Sequence, residues 1–272
     1  MTRYFVHNAM ATQFQMWLCG EDADLMRAVA FESWAEVDRI EYMMSRHDPQ
    51  AELARINREA HRRPVRVEVE LFNVLQDSVA WSTVTKGYFD ISFRSSGSSE
   101  GSGGVSKRNF VLNPEDRTVH FTHLGVELDL GGYGKGYALD RIAGMLKTYG
   151  IQSAFMQSGT SSALALGLKE DGHTWMIKVP HFDDAKRILY HQALFNQGFS
   201  YSATTHVGSD AASDIVNPHD GRAITHRAAC CMVTPNALQA EVLSTAFLAM
   251  GKEKACRLFQ GLDEGSMKMK WI

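Results

Sequence analysis

A single lysine stands among four glycines in the stretch LDLGGYGKGYALD, residues 128–140. Glycine inside a helix or strand is destabilising, so such a cluster implies a tight bend or a ligand that touches the main chain. The common phosphate signatures do not fit. Gly132, Gly134 and Gly136 alternate instead of following G-x-G-x-x-G, and Gly136 follows Lys135 where a Walker loop needs Ser or Thr. The physics of an anion site is present all the same. N–H groups at a helix start attract anions, and Lys135 adds a full positive charge. The alternative is a plain strand-to-helix turn whose glycines only permit close packing. A second constellation lies in AEVLSTAFLAMG, residues 240–251, where Glu241 and Thr245 are four apart and share a helix face. A carboxylate beside a hydroxyl in an otherwise apolar helix suits a hard cation such as Mg²⁺. The alternative there is a Glu that caps a first turn and a Thr bonded to its own backbone.

The elements that must position these residues are read from periodicity. A strand is expected over about 12–18. DADLMRAVAFESWAEVDRIEYMMS places Leu25, Val29, Val37, Ile40 and Met44 at helical spacing. ELARINREA reads as a short helix after the turn HDPQ, and VEVELFNVLQDSVAWSTVT as a strand edge running into a long helix. GYFDISF is expected to be a strand that breaks into a Ser/Gly stretch, 95–104, which reads as a flexible loop with nothing to bury. NFVLNPEDRTVHFTH reads as a hairpin turning at NPED. A helix is expected from about Tyr137 to Tyr149. SAFMQSG pairs with SALALGL, WMIKVP pairs with HQALFNQ, and a strand HRAACCMVT precedes the helix ALQAEVLSTAFLAMG. Strands and helices mix without a βαβ beat, so the fold class is α+β, with mixed antiparallel sheets and packed helices.

With 272 residues and a formal net charge of −3, the chain has room for a sizeable core and no basic stripe for nucleic acid. No apolar run approaches the length of a membrane span, and MTRYFVHNAM lacks a signal-peptide core. A cytoplasmic location is expected, or a periplasmic one if a signal or lipid anchor was removed. The four cysteines show no C-x-x-C spacing and read as reduced thiols, with Cys230 and Cys231 pointing to opposite sides of a strand. A monomer or homodimer is expected.

Six ordered stretches carry a resemblance: MAT (10–12), MSRHDPQAELARIN (44–57), TKGYFDIS (85–92), LDLGGYGKGYALD, SDIVNPHDG (213–221) and AEVLSTAFLAMG. Together they resemble the FAD:protein FMN transferases, the ApbE-type flavin transferases, over nearly the whole chain. The resemblance implies one two-lobed domain over 1–272. It also implies binding of FAD and Mg²⁺, cleavage of the pyrophosphate, and attachment of FMN to a Thr or Ser of an acceptor flavoprotein. By that resemblance Met10, His47, Asp90, Ile91, Ser92, Asp129, Lys135 and Ile215 line the FAD site, and Gly132, Glu241 and Thr245 meet the metal, Gly132 through its carbonyl.

The chain departs from the family pattern at named places. Glu241 stands for an aspartate, which places the carboxylate one methylene further out. Asp214 stands for the histidine thought to act as base, with His206 or His219 as spatial substitutes. The Ser/Gly stretch replaces L-W-G-F-G, and Gly159-Thr160-Ser161 replaces G-G-D. A carboxylate near pKa ~3.9 is a weaker base than imidazole. Two other readings therefore stand beside the transferase: a metal-dependent FAD pyrophosphatase yielding FMN and AMP, and a non-catalytic flavin binder.

Overall fold

The computed structural model describes residues 1–92, 109–182, 184–204, 215–224, 227–262 and 265–272. The chain begins with β1 (Thr2–Ala9) and β2 (Thr12–Cys19), followed by the helices α1 (Ala23–Met44) and α2 (Glu52–Glu59). Next come β3 (Val65–Arg66), α3 (Val69–Val84), β4 (Phe110–Asn113), β5 (Thr118–Phe121) and α4 (Gly134–Thr148). The second half holds β6 (Ser153–Ser158), β7 (Ser162–Leu166), β8 (Trp175–His181), β9 (Asp184–Leu194), β10 (Gln197–Ala203), β11 (Val216–Asn217) and β12 (Arg222–Ala223). It closes with β13 (Ala229–Thr234), α5 (Ala237–Met250), α6 (Lys252–Leu262) and β14 (Lys268–Trp271). The result is the expected α+β class.

A seven-stranded sheet in the order β1-β2-β6-β7-β10-β13-β14 is the frame, and each of its pairings is antiparallel. Strand periodicity divides its side chains between two faces. Phe14, Met16 and Leu18 of β2 pack with Met156 and Leu164 toward α1 and α4. On the other face Phe155, Ala163, Ala165, Phe199 and Cys231 meet Trp175, Ile177 and Val179 of the β8–β9 hairpin. The adjacent cysteines do separate as expected: Cys231 lies in this second core and Cys230 in a third, with Met232, Leu243 and Phe247. All four thiols are free.

Helix α5 is buried nearly all round, with Ala240, Val242, Leu243, Ala246, Phe247 and Leu248 fully enclosed, as a helix apolar on every side must be. Its start is capped by Asn236, whose side chain accepts from the N–H of Gln239. Among the described residues no helix is long and apolar enough to cross a membrane.

Three expectations need correction. A strand, β1, precedes the expected first strand. The two join through Met10 and Ala11, with φ of 51° and 55°. That two-residue turn is formed without the Gly or Asn that would announce it. GYFDISF is not a strand over its described part. Lys86 and Gly87 take φ of 55° and 80°, and Asp90 Oδ1 accepts from both the N–H (2.8 Å) and the hydroxyl (2.7 Å) of Ser92. These local bonds compete with a ladder and win. Helix α4 starts at Gly134, three residues before Tyr137, because the carbonyl of Leu130 accepts from the N–H groups of Tyr133 and Gly134 and closes the first turn. The Ser/Gly stretch 95–104 lies outside the described residues.

Gly136 explains why α4 can begin there. A Cβ at Gly136 would sit 2.7 Å from Leu238 Cα and 2.8 Å from the Ala237 carbonyl oxygen, so backbone meets backbone between α4 and α5. Gly144, on the exposed side of the same helix, has nothing within 4 Å. Gly136→Ala should therefore destabilise by about 1–3 kcal/mol through overpacking. Gly144→Ala should stabilise by about 0.5–1 kcal/mol through helix propensity. Denaturant unfolding of the two variants checks this; a loss of equal size at both positions would contradict the close approach.

Candidate functional site

The glycine turn is held from behind. Tyr133, fully buried, donates its hydroxyl to Asp77 Oδ2 at 2.7 Å on α3. Tyr137 donates to Glu70 Oε1 at 2.8 Å, and Arg39 joins Glu70 to Glu36 on α1. Burial and these carboxylates push both tyrosine hydroxyls well above their ordinary pKa, so they remain donors. Asn57 clamps the segment entering the turn, accepting from the Leu128 N–H and donating to the Leu128 carbonyl.

On its working side the turn gathers charge. Lys135 Nζ lies 2.7 Å from Glu241 Oε1 and donates to the Gly131 carbonyl at 3.3 Å. The second oxygen of Glu241 accepts from the N–H of Gly136 in a short hydrogen bond. Glu241 is only 3% exposed. A buried carboxylate thus meets a helix N-terminus and an ammonium, the two partners that stabilise it best. Further along α5, Thr245 and Ser244 link to Ser202 of β10 (3.3 and 2.8 Å), and Ser244 donates to Ser200 of the same strand (2.9 Å).

Asp129 stands just before the glycine turn. Its N–H donates to the Ile91 carbonyl (2.7 Å), its Oδ1 accepts from the Gly131 N–H (2.8 Å), and its Oδ2 pairs with Arg46 Nε at 3.3 Å. Arg46 also reaches Glu127 Oε1 at 2.9 Å.

The structure brings most of the expected residues to one place. Asp129 ties the Asp90–Ser92 segment to the turn. Gly132 lies against Phe89 and Thr245; a Cβ there would be 3.9 Å from Thr245 Oγ1. Met10 arrives on the β1–β2 turn, where Glu41 accepts from its N–H at 2.8 Å. Its sulfur lies 3.8 Å from where Gly134 would carry a Cβ. Two residues have surroundings of their own. His47 is exposed, with its N–H donated to Ser45 Oγ at 3.2 Å. Ile215 packs on the third core beside α5. His206 and Asp214 lie outside the described residues. His219 gives its Nε2 to the Lys86 carbonyl at 3.0 Å and packs on Tyr88.

Two residues that hold the site's surroundings together escaped the sequence reading. Arg46 lies beside the expected His47, and its partners are 81 residues away or more, so no local signal marks it. Asp140 accepts from the N–H groups of Ala237 (2.8 Å) and Leu238 (2.9 Å), so α4 caps α5.

The fold and this site describe a class of protein. A solved structure of the ApbE protein from Thermotoga maritima superposes with a TM-score of 0.84, covering 99% of this chain and 93% of that one at 19% identity. The apo flavinyl transferase ApbE of Pseudomonas stutzeri gives 0.82, with 100% and 94% covered at 19% identity. These likenesses establish the architecture. A protein of Vibrio cholerae serotype O1 named FAD:protein FMN transferase is 24% identical over 248 residues, which is 80% of this chain and 73% of that one. A Klebsiella pneumoniae protein of the same name is 22% identical over 277 residues, 90% and 78% of the two chains. The family profile of ApbE matches residues 10–268, and the chain belongs to the ApbE family.

Asp140 makes the site's support pH-dependent. Burial pushes its pKa up to about 6 from 3.8, against the opposing pull of the two N–H donors. A raised carboxylate pKa means the folded state binds the extra proton. The contribution of Asp140 to stability is fully present below about pH 4 and is lost as pH rises through about 6. Asp140→Asn should flatten stability across that window. Unfolding free energies at pH 4, 5, 6 and 7 check it; an unchanged slope in the variant would refute the assignment.

Proposed function

We propose that this protein transfers FMN from FAD to a Thr or Ser hydroxyl of an acceptor protein. Family membership and the names of the relatives support the reading. The observation that carries it is the glycine turn itself: a lysine, a helix N-terminus and bare backbone directed at one place, as a diphosphate requires.

In the reaction the acceptor hydroxyl oxygen bonds to the FMN phosphorus, the P–O bond to the bridging oxygen breaks, and AMP leaves with that oxygen. The hydroxyl proton passes to a base. Lys135 holds charge that builds on the non-bridging oxygens, and the glycines of the turn let the diphosphate lie close to the main chain. Arg46 orients Asp129 just before the turn. Asp214 and His206 are the proposed proton acceptors, and Met10, Asp90, Ile91, Ser92 and Ile215 the proposed walls.

Mg²⁺ fits the donor chemistry here, since Thr245, the Gly132 carbonyl and Glu241 all offer oxygen. Among the described residues no three His, Cys, Asp or Glu side chains gather around one point, so hydroxyl, carbonyl and substrate oxygens must complete its shell. A cation held there would neutralise charge on the diphosphate.

Incubation with FAD, Mg²⁺ and a candidate acceptor should yield an acceptor band that fluoresces on a denaturing gel, with AMP released in equal amount. AMP without labelled acceptor would instead mean hydrolysis, and binding without AMP a non-catalytic binder. Lys135→Ala should weaken FAD binding by about tenfold or more. Lys147→Ala, in the last turn of α4, should leave it within about twofold. Equal effects in fluorescence titration would make Lys135 a mere surface charge.

A further inference from the structure

The Lys135–Glu241 pair occupies both of the charged groups that the proposed reaction needs. Glu241 has neither oxygen free: Lys135 takes one and the Gly136 N–H the other. Lys135 is likewise committed to Glu241 and to the Gly131 carbonyl. Beside Glu241 on α5, the Ser244 hydroxyl donates to the Glu241 backbone carbonyl and belongs to a neutral cluster with Ser200, Ser202 and Thr245. Among the described residues, charges on and around the turn include Arg46, Asp90, Glu127 and Asp129, with Asp140 beyond it between α4 and α5.

The pairing penalises either ion alone. A diphosphate that draws Lys135 away leaves Glu241 buried with only the Gly136 N–H to hold it. A divalent cation that draws Glu241 away leaves the Lys135 ammonium beside it. Removing one partner of a buried pair is costly because the other stays charged without compensation.

We infer that the Lys135–Glu241 pair is an internal lock, opened by exchange of partners when a nucleotide diphosphate and a divalent cation arrive together. This rests on the flavin-nucleotide reading above. Lys135 turns to the phosphate oxygens, Glu241 turns to the cation, and two ion pairs replace one. Each ligand then binds poorly without the other, and the protein's own carboxylate is the reason for the poor binding of the anion alone.

Calorimetry with ADP, which carries the diphosphate and adenosine but no flavin, tests the lock on the full chain. In the unaltered protein, ADP in EDTA should bind about tenfold or more weakly than with Mg²⁺. Glu241→Gln should bind ADP in EDTA about fivefold more tightly than the unaltered protein does, because Lys135 is released. Lys135→Met should gain a thermal shift with Mg²⁺ alone that the unaltered protein lacks. Metal-free ADP affinity that is unchanged or lower in Glu241→Gln would overturn the lock, as would a Lys135→Met protein indifferent to Mg²⁺. If either variant fails to fold, the Gly136 amide resonance of the unaltered protein decides. It should move at about tenfold lower ADP when Mg²⁺ is present than in EDTA, and the same ADP dependence in both would overturn the proposal. FAD binding that needs neither the exchange nor Mg²⁺ removes the lock and leaves the nucleotide reading standing. Absence of FAD and ADP binding under every condition removes both.

Discussion

A carboxylate buried under a helix start is the constraint on which the site depends. Glu241 rises from α5 to meet the N–H of Gly136 and the ammonium of Lys135, both on α4, so one side chain joins the two helices. The joint is possible only because Gly136 lets the backbones of α4 and α5 approach. Asp140 repeats the device in reverse, reaching from α4 to the first N–H groups of α5. The two helices thus satisfy each other's orphan donors with acidic side chains. That mutual capping opposes the backbone freedom that four glycines bring to the turn.

The rest of the molecule supplies rigidity around that joint. The seven-stranded sheet fixes α5 from below, and the tyrosines of α4 lock onto the acidic groups of α3. The β1–β2 hairpin brings Met10 over Gly134. The β8–β9 hairpin covers the far face of the sheet and leaves the helix face to the site. Turn, helix and hairpin are each packed into a common core, so the backbone around Lys135 and Glu241 is fixed and only their side chains are left to change partners.

Much of this was legible in the sequence because its physics is local. The apolar spacing in α1, α3 and α5 and the alternation in β6 and β7 are visible without tertiary knowledge. So are the anion-favouring glycine turn and the Glu241–Thr245 face. Elements decided by local side-chain bonding were misread: the Asp90–Ser92 turn looked like a strand, and the Met10–Ala11 turn carried no turn residue. Partnerships across the fold were invisible. Gly136 and Glu241 are 105 residues apart, and a carboxylate that spacing marks for a cation proves to be held by a lysine. Arg46 escaped for the same reason, its role being set by Glu127 and Asp129 on another segment.

The central claim is that the turn around Lys135 grips the diphosphate of a flavin nucleotide, and phosphorus NMR of FAD reads that contact directly. On adding the protein with Mg²⁺, both diphosphate resonances should shift and broaden, and Lys135→Met should abolish most of the change. Unmoved phosphorus resonances while the flavin or adenine protons respond would contradict the account, as would identical phosphorus shifts in the Lys135→Met protein.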